Sequence, residues 1–209
     1  MMYTHIAIFG ANGRVGRLVV SEALTRGYAV TAFVHRHANF DDDPRLTIVR
    51  GDIHNEDDVR QALARADVVI STLGSWGTKQ KDILSAGMRS IIPATQSAGI
   101  DRIISLTGAD ARAAGDTLSI IHRLSHAAIS LIAGKILSDG ETHIKLLENS
   151  QLDWTVIRSP IMTTKNAASY TFTHTRPLPW TTIPRRSVVL ALLAELDHDH
   201  HSQQALFIK

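Results

Sequence analysis

Thr4-His-Ile-Ala-Ile-Phe-Gly10-Ala-Asn-Gly13-Arg-Val-Gly16 joins an apolar run to a glycine-spaced turn. Thr4 to Phe9 has the length and composition of a buried strand and stops at Gly10. Beyond the turn, Val15, Leu18, Val19 and Leu24 recur at helical spacing until Arg26-Gly27, a basic last turn with a glycine stop. Strand, glycine turn and helix in that order aim a helix N-terminus at a ligand. Gly10 permits the tight turn, Gly13 lets the backbone approach a pyrophosphate, and Gly16 lets the helix pack closely on the strand. Free N–H groups and the helix dipole then favour phosphate. Gly10, Asn12, Gly13, Arg14, Val15 and Gly16 are therefore expected to contact a dinucleotide, with Arg14 able to help Arg36 and His35 at an adenosine 2′-phosphate. Without its flanks, the same string would be an ordinary glycine-rich turn.

The flanks repeat the pattern. Tyr28 to Val34 is expected as a second strand and Leu46 to Arg50 as a third. Asn55 is placed as an N-cap, with Glu56, Asp57 and Asp58 in the first turn of a helix reaching about Arg65. Val68 to Leu73 follows as a strand, then a helix from Lys81 to Ser97 with an expected kink at Pro93. Gly99 closes that helix, and Arg102 to Leu106 is the fifth strand. After Gly108 the pattern changes to a small-residue loop, Ala109 to Asp116, then a helical stretch over 117–149 expected to break around Ser138-Asp139-Gly140. Trp154 to Arg158 reads as a sixth strand, Ser159 to Pro184 as a Thr/Pro-rich stretch, Ser187 to Leu196 as a last helix and Ala205 to Ile208 as a last strand. The alternation predicts the α/β class: a Rossmann-type, doubly wound parallel sheet of about six or seven strands. A single domain over 1–209 is expected, with a small C-terminal substrate-side region at about 109–185.

Composition narrows the function. Over 209 residues, 22 Lys+Arg against 20 Asp+Glu leave a formal charge of +2, which argues against a nucleic-acid stripe or a polybasic membrane patch. With no cysteine, thiolate catalysis, Cys-ligated zinc and iron–sulfur clusters are excluded. The opening apolar run is too short for a signal peptide, and Leu118 to Leu137 is interrupted by His122, Arg123, His126 and Lys135. A soluble, cytoplasmic protein with no nucleic-acid or membrane partner is expected; its oligomeric state is left open.

The string IAIFGANGRVG is similar to the atypical branch of the short-chain dehydrogenase/reductase superfamily, and within it the chain resembles the small flavin reductase/biliverdin reductase B group. Four further segments carry the resemblance in order. Arg50-Gly-Asp52-Ile53 resembles the family's Gly-Asp after the third strand, which implies that Asp52 and the next backbone amide meet the adenine. Ser71-Thr-Leu73-Gly74-Ser75 resembles the fourth-strand loop beside the cofactor ribose, and Leu106-Thr107-Gly108-Ala109 a variant of the fifth-strand end. Ser150 to Pro160 resembles the family's SGLDWTIVRP, which adds Pro160 to the implied cofactor contacts, and Ile183-Pro-Arg-Arg-Ser-Val188 resembles its ISRADVA.

Cofactor preference turns on the end of the second strand, where NAD-specific sites carry an acid for the ribose 2′-OH. Here the residues are Val34-His35-Arg36-His37, with no acid before Asp41. A guanidinium there would attract a 2′-phosphate, so NADP(H) is preferred, with NAD(H) open if Arg36 instead stacks on adenine or is simply solvated. The superfamily's YxxxK pair is absent, because none of Tyr3, Tyr28 and Tyr170 has a lysine four residues on. The group's active-site Ser aligns with Gly108 and its His with Ile161, leaving Thr107 as the hydroxyl that could act. Hydride transfer to a flavin needs no strong protein acid. The expectation is an NAD(P)H-dependent reductase of a small planar flavin or quinone; a non-catalytic, redox-sensing NAD(P)-binding regulator is the alternative. A sugar-nucleotide epimerase or dehydratase is disfavoured. Trp76 either stacks the substrate or anchors its loop. His122 and His126, and the string His198-Asp-His200-His201, have metal-like spacing but are expected to be ordinary surface or packing histidines, so no metal is expected.

Overall fold

In a computed structural model the described residues are 3–76, 78–197 and 201–209. The first apolar run forms β1 (His5–Phe9) and the amphipathic stretch after it α1 (Gly16–Thr25). β2 (Ala29–Val34), β3 (Leu46–Arg50), α2 (Glu56–Leu63), β4 (Val68–Ser71), α3 (Ile83–Ser97) and β5 (Arg102–Gly108) follow in the expected order. The Asn55 side chain accepts from the Asp57 and Asp58 amides at 2.9 and 3.4 Å, which is the N-cap expected for α2. α3 continues through Pro93.

The second half holds α4 (Ile120–Glu148), β6 (Asp153–Ser159), β7 (Ile161–Thr163), β8 (Phe172–Thr173), β9 (Thr182–Pro184), α5 (Arg185–Asp197) and β10 (Gln204–Ile208). Eight strands make one sheet in the order β3-β2-β1-β4-β5-β6-β10-β8, parallel throughout except for β8 against β10; β7 and β9 form a separate pair. One face packs α1 and α5 around Val19, Val20, Ile104, Val188 and Leu192. The other packs α2, α3 and the end of α4 around Phe9, Val59, Met88, Ile103 and Ile144. Helices on both faces and a strand order that reverses between β1 and β4 define the doubly wound Rossmann architecture.

One expectation is corrected. Ser138, Asp139 and Gly140 are helical, and the break falls at Ala133, whose φ of −136° and ψ of 33° leave the helical region. Gly140 and Asp139 suggest a breaker by composition, but both have packing roles inside the helix. A Cβ on Gly140 would stand 2.9 Å from Thr107 Oγ1 and 3.0 Å from Ala111 Cβ, so glycine lets α4 lie close against the end of β5. The bend at Ala133 is sharp. His126 Nε2 and Glu141 Oε1 are 2.9 Å apart, whereas the fifteen intervening helical steps would separate them by roughly 22 Å if straight. Among the described residues α4 is the one helix long and apolar enough to cross a membrane by length and composition. Folded at Ala133, each arm is only roughly 20 Å long, short of the ~30 Å of a hydrocarbon core.

Candidate dinucleotide site and its surroundings

Parallel pairing brings the C-terminal ends of β3, β2, β1, β4 and β5 to one edge of the sheet as neighbours. Asp52, His35, Gly10, Leu73 and Thr107 stand at or just beyond those ends, as one ligand crossing the switch point would need. Gly10 takes φ +75° and a Cβ there would lie 2.8 Å from Leu73 N, because the β1 turn crosses directly under the β4 loop. Thr72 Oγ1 ties the two, donating to the carbonyls of Phe9 and Gly10 at 3.1 and 3.2 Å. A Cβ on Gly16 would meet Gly10 O at 2.2 Å, so the start of α1 sits against the turn itself. Gly13 donates to Gly10 O at 2.9 Å and is exposed. The N-terminus of α1 has no side-chain cap and no acid in its first turn, so its dipole favours an anion, although the Arg17 amide is already held by Gly13 O at 3.0 Å. Asn12, whose Oδ1 accepts from Arg17 Nε at 3.0 Å, braces the loop, while Arg14 is exposed and Val15 buried.

The adenosine side is open. His35, Arg36 and Asp52 are exposed and Ile53 is buried. Asp52 Oδ1 accepts from the His54 amide at 3.0 Å, and its own amide is held by Asp58 Oδ2 at 2.8 Å. These contacts fix the Gly51–Ile53 turn without an acid at the end of β2. The residues present therefore fit a dinucleotide: a glycine turn that a side chain would fill, an uncapped helix start and a cationic rim.

At the other end the structure adds residues that sequence motifs did not reveal. Ser75 is buried and donates its hydroxyl to Asp139 Oδ2 at 2.7 Å, so its side chain serves the scaffold, while Gly74 beside it is exposed. The same Asp139, buried in α4, also accepts from the Leu84 and Ser85 amides at 3.0 and 2.8 Å. It caps α3 from a distance of more than fifty residues in sequence, in place of Asp82, which makes no side-chain cap. One turn on, fully buried His143 shares a 2.7 Å hydrogen bond with Ser105 Oγ of β5. Burial pulls its pKa down to about 4, against the Asp139 carboxylate and the Gly140 carbonyl, and the ring is neutral at physiological pH.

Thr107 is nearly buried at the end of β5, and Pro160 is buried after β6. Trp76 is 69 % exposed and does not anchor its loop from within. Beyond Thr107 lies a titratable group: Asp110, whose pKa burial raises despite Arg176, His126 and His122 nearby. Asp116 is held low, because the Arg158 hydrogen bond, the Ala113 amide and the Arg158 and Arg176 charges outweigh its burial. Arg158 also stacks 3.7 Å over the Phe207 ring and donates to Ala205 O at 2.7 Å. Loop 113–119, these arginines and residues of β6 and β10 wall a cavity of about 1070 Å³, to which α4 contributes His122 and Glu148. His122 bonds Ser119 Oγ and Pro177 O, and His126 bonds Glu141, so the two histidines serve different partners. His198, Asp199 and His200 lie outside the described residues, and His201 Nδ1 bonds Glu195 Oε1 at 2.7 Å.

Known proteins share this fold. The sequence pattern of a family described as NAD(P)H-binding matches residues 10–199. A short-chain dehydrogenase/reductase from Veillonella parvula, solved in complex with NADP, superposes with a TM-score of 0.80 at 19 % identity, covering 99 % of this chain and 94 % of that one. The anaerobillin reductase ChuY from Escherichia coli O157:H7 gives 0.78 at 22 % identity, covering 98 % and 96 %. At such identities the likeness is one of fold. In sequence, isoflavone reductase homolog P3 from Arabidopsis thaliana is 28 % identical over 127 residues, 53 % of this chain and 41 % of that protein. The chain spans less than half the length of the curated relatives it matches.

Proposed function

The chain belongs to the NAD(P)H-binding family, and from that premise we propose that it is an NAD(P)H-dependent reductase of a small planar acceptor of the flavin or quinone type. The observation that carries the proposal is the glycine turn locked under the β4 loop at the switch point, opening onto a site with no Tyr/Lys pair. The nicotinamide, when bound, supplies the hydride. The chain's own residues then have to bind, orient and exclude water. A flavin or quinone takes one hydride and one proton, the latter available from solvent, so no strong protein acid is required. Thr107 is the hydroxyl at the end of β5 that can position the acceptor, and exposed Trp76 offers it a stacking face.

NADP(H) is the preferred nucleotide in this reading, with NAD(H) possible. Arg36, with His35 beside it, stands exposed after β2 where a 2′-phosphate would lie, and no acid there competes for the ribose. Residues 109–185 supply the acceptor side. The acceptor is a small molecule, no nucleic acid or membrane is involved, and the location is the cytoplasm, where reduced nicotinamide is available. The missing Tyr/Lys pair also suits a regulator that binds the nucleotide and reports redox state without turnover. Oxidation of NADPH and NADH by purified protein, against a panel of flavins, quinones and dyes, separates the two. NADPH consumption with at least one planar acceptor is expected; tight nucleotide binding with no consumption would replace the reductase by the regulator.

A further inference from the structure

A cleft of about 540 Å³ runs between α1, the segment after β7 and the start of α5. Its walls carry five cations: Arg14 and Arg17 at the head of α1, Lys165 after β7, and Arg185 and Arg186 opening α5. The acid in its lining, Glu22, is bridged to Arg26 at 3.1 Å. Arg17 is turned toward Asn12, but Arg14, Lys165, Arg185 and Arg186 have no ion-pair or hydrogen-bond partner among the described residues. A near-neutral chain with 22 basic and 20 acidic side chains thus gathers unpaired positive charge in one concavity.

Stability does not explain that placement. The positive end of a helix dipole favours acids, and α2 obeys with Glu56, Asp57 and Asp58 in its first turn. α1 and α5 have no acid in their first turns and put arginine there instead. Five like charges beside two helix N-termini repel one another in the free protein. An anion of matching size removes that repulsion, and guanidinium forks suit phosphate oxygens. The cleft is also well placed. One wall begins at Arg14 in the glycine turn, and another follows β7, which leaves Pro160 at the end of β6. It therefore reaches from the glycine turn to the chain that follows β6 and β7.

We propose that this cleft is an anion subsite that holds the phosphate-bearing tail of the acceptor while the acceptor's planar ring lies at the β5–β6 edge. The proposal rests on the reductase reading above and adds a substrate class to it: planar acceptors carrying a phosphate monoester are selected over their neutral counterparts. Flavin mononucleotide and riboflavin differ by that phosphate alone, which makes them the natural probe pair.

The test is flavin binding to protein saturated with NADP⁺, so that no turnover occurs, followed by fluorescence quenching. Flavin mononucleotide should bind at least tenfold more tightly than riboflavin, and the preference should shrink at high salt as exposed charges are screened. Arg185→Gln/Arg186→Gln, and separately Lys165→Gln, should reduce the preference severalfold while leaving riboflavin binding and NADP⁺ binding unchanged. Inorganic pyrophosphate should compete with flavin mononucleotide and not with riboflavin. Equal affinity for the two flavins, or a preference that survives both variants, overturns the subsite. Binding of flavin mononucleotide only in the absence of NADP⁺ also overturns it, because the cleft would then be part of the nucleotide site. In each of those cases NADPH oxidation with riboflavin or a quinone would leave the reductase reading standing; failure to bind either flavin removes the subsite, and the reductase reading goes with it only if no flavin, quinone or dye is reduced.

Discussion

The two halves of the chain reach the same sheet by different physics. From β1 to β5 the strands are short apolar runs, the helices are amphipathic, and one of them, α2, is capped locally by Asn55 within three residues. From residue 109 onward, structure depends on buried polar groups meeting partners far away in sequence. Asp139 caps α3, His143 meets Ser105, Arg102 of β5 reaches Glu195 of α5 at 3.3 Å, and Arg158 and Arg176 share Asp116. A half built from local rules presents a ligand site at its strand ends. The other half is pinned onto it by ion pairs and hydrogen bonds whose loss would be costly, since each leaves a buried group without a partner.

The largest expected effect tests that pinning. Asp139→Ala leaves the Leu84 and Ser85 amides and the Ser75 hydroxyl without their acceptor, and should cost about 3–5 kcal/mol in urea unfolding. At temperatures where the variant is folded, its NADPH affinity should stay within a few-fold of the parent. A loss under about 1 kcal/mol would mean that the halves hold together without this cap.

His143 gives a pH test of the same contrast. Its pKa in the fold is about 4 against 6.5 for the unfolded chain, so the unfolded state binds the extra proton as pH falls through that window. The stability it contributes is complete above pH 6.5, declines as pH drops and is exhausted near pH 4, on the order of 3 kcal/mol in all. Unfolding free energies of wild type and His143→Gln between pH 8 and 4 should therefore converge as the pH drops, by roughly that amount. Parallel curves would show that the ring titrates normally.

A smaller effect belongs to the nucleotide half. Arg36→Ala removes one charge-assisted contact of roughly 1.5–3 kcal/mol and should weaken NADPH by roughly tenfold to a hundredfold, leaving NADH within a few-fold and stability unchanged. Assayed with a free flavin, the loss should appear in KM for NADPH and not in kcat, because the 2′-phosphate is remote from the hydride. Equal weakening of both nucleotides would assign Arg36 to adenine stacking.

The same contrast explains what the sequence revealed. Periodicity and glycine spacing are local signals, so β1 to β5, the N-cap at Asn55 and the turn at Gly10 were all legible within a few residues of themselves. Asp139 and Gly140 resemble a helix break locally because their partners, the α3 amides and Thr107, are invisible to local pattern. Ala133, where the bend does occur, carries no breaker signal. Asp110 carries no motif, and its neighbours His122, His126 and Arg176 come from parts of the chain distant in sequence. The basic cleft was illegible for a similar reason: Arg14, Lys165 and Arg185 meet only once α1 and α5 share a face of the sheet.

The most direct test of nucleotide binding at the β1 turn is calorimetric titration of NADPH into wild type and Gly13→Val. A branched side chain there fills the space needed by a pyrophosphate and crowds Gly10 O, which already lies 3.1 Å from the position of a Cβ. One-to-one binding to the wild type, lost in the variant while its circular dichroism stays native, is the predicted result. Equal NADPH affinity in the two proteins would contradict it and reduce the glycine string to a turn.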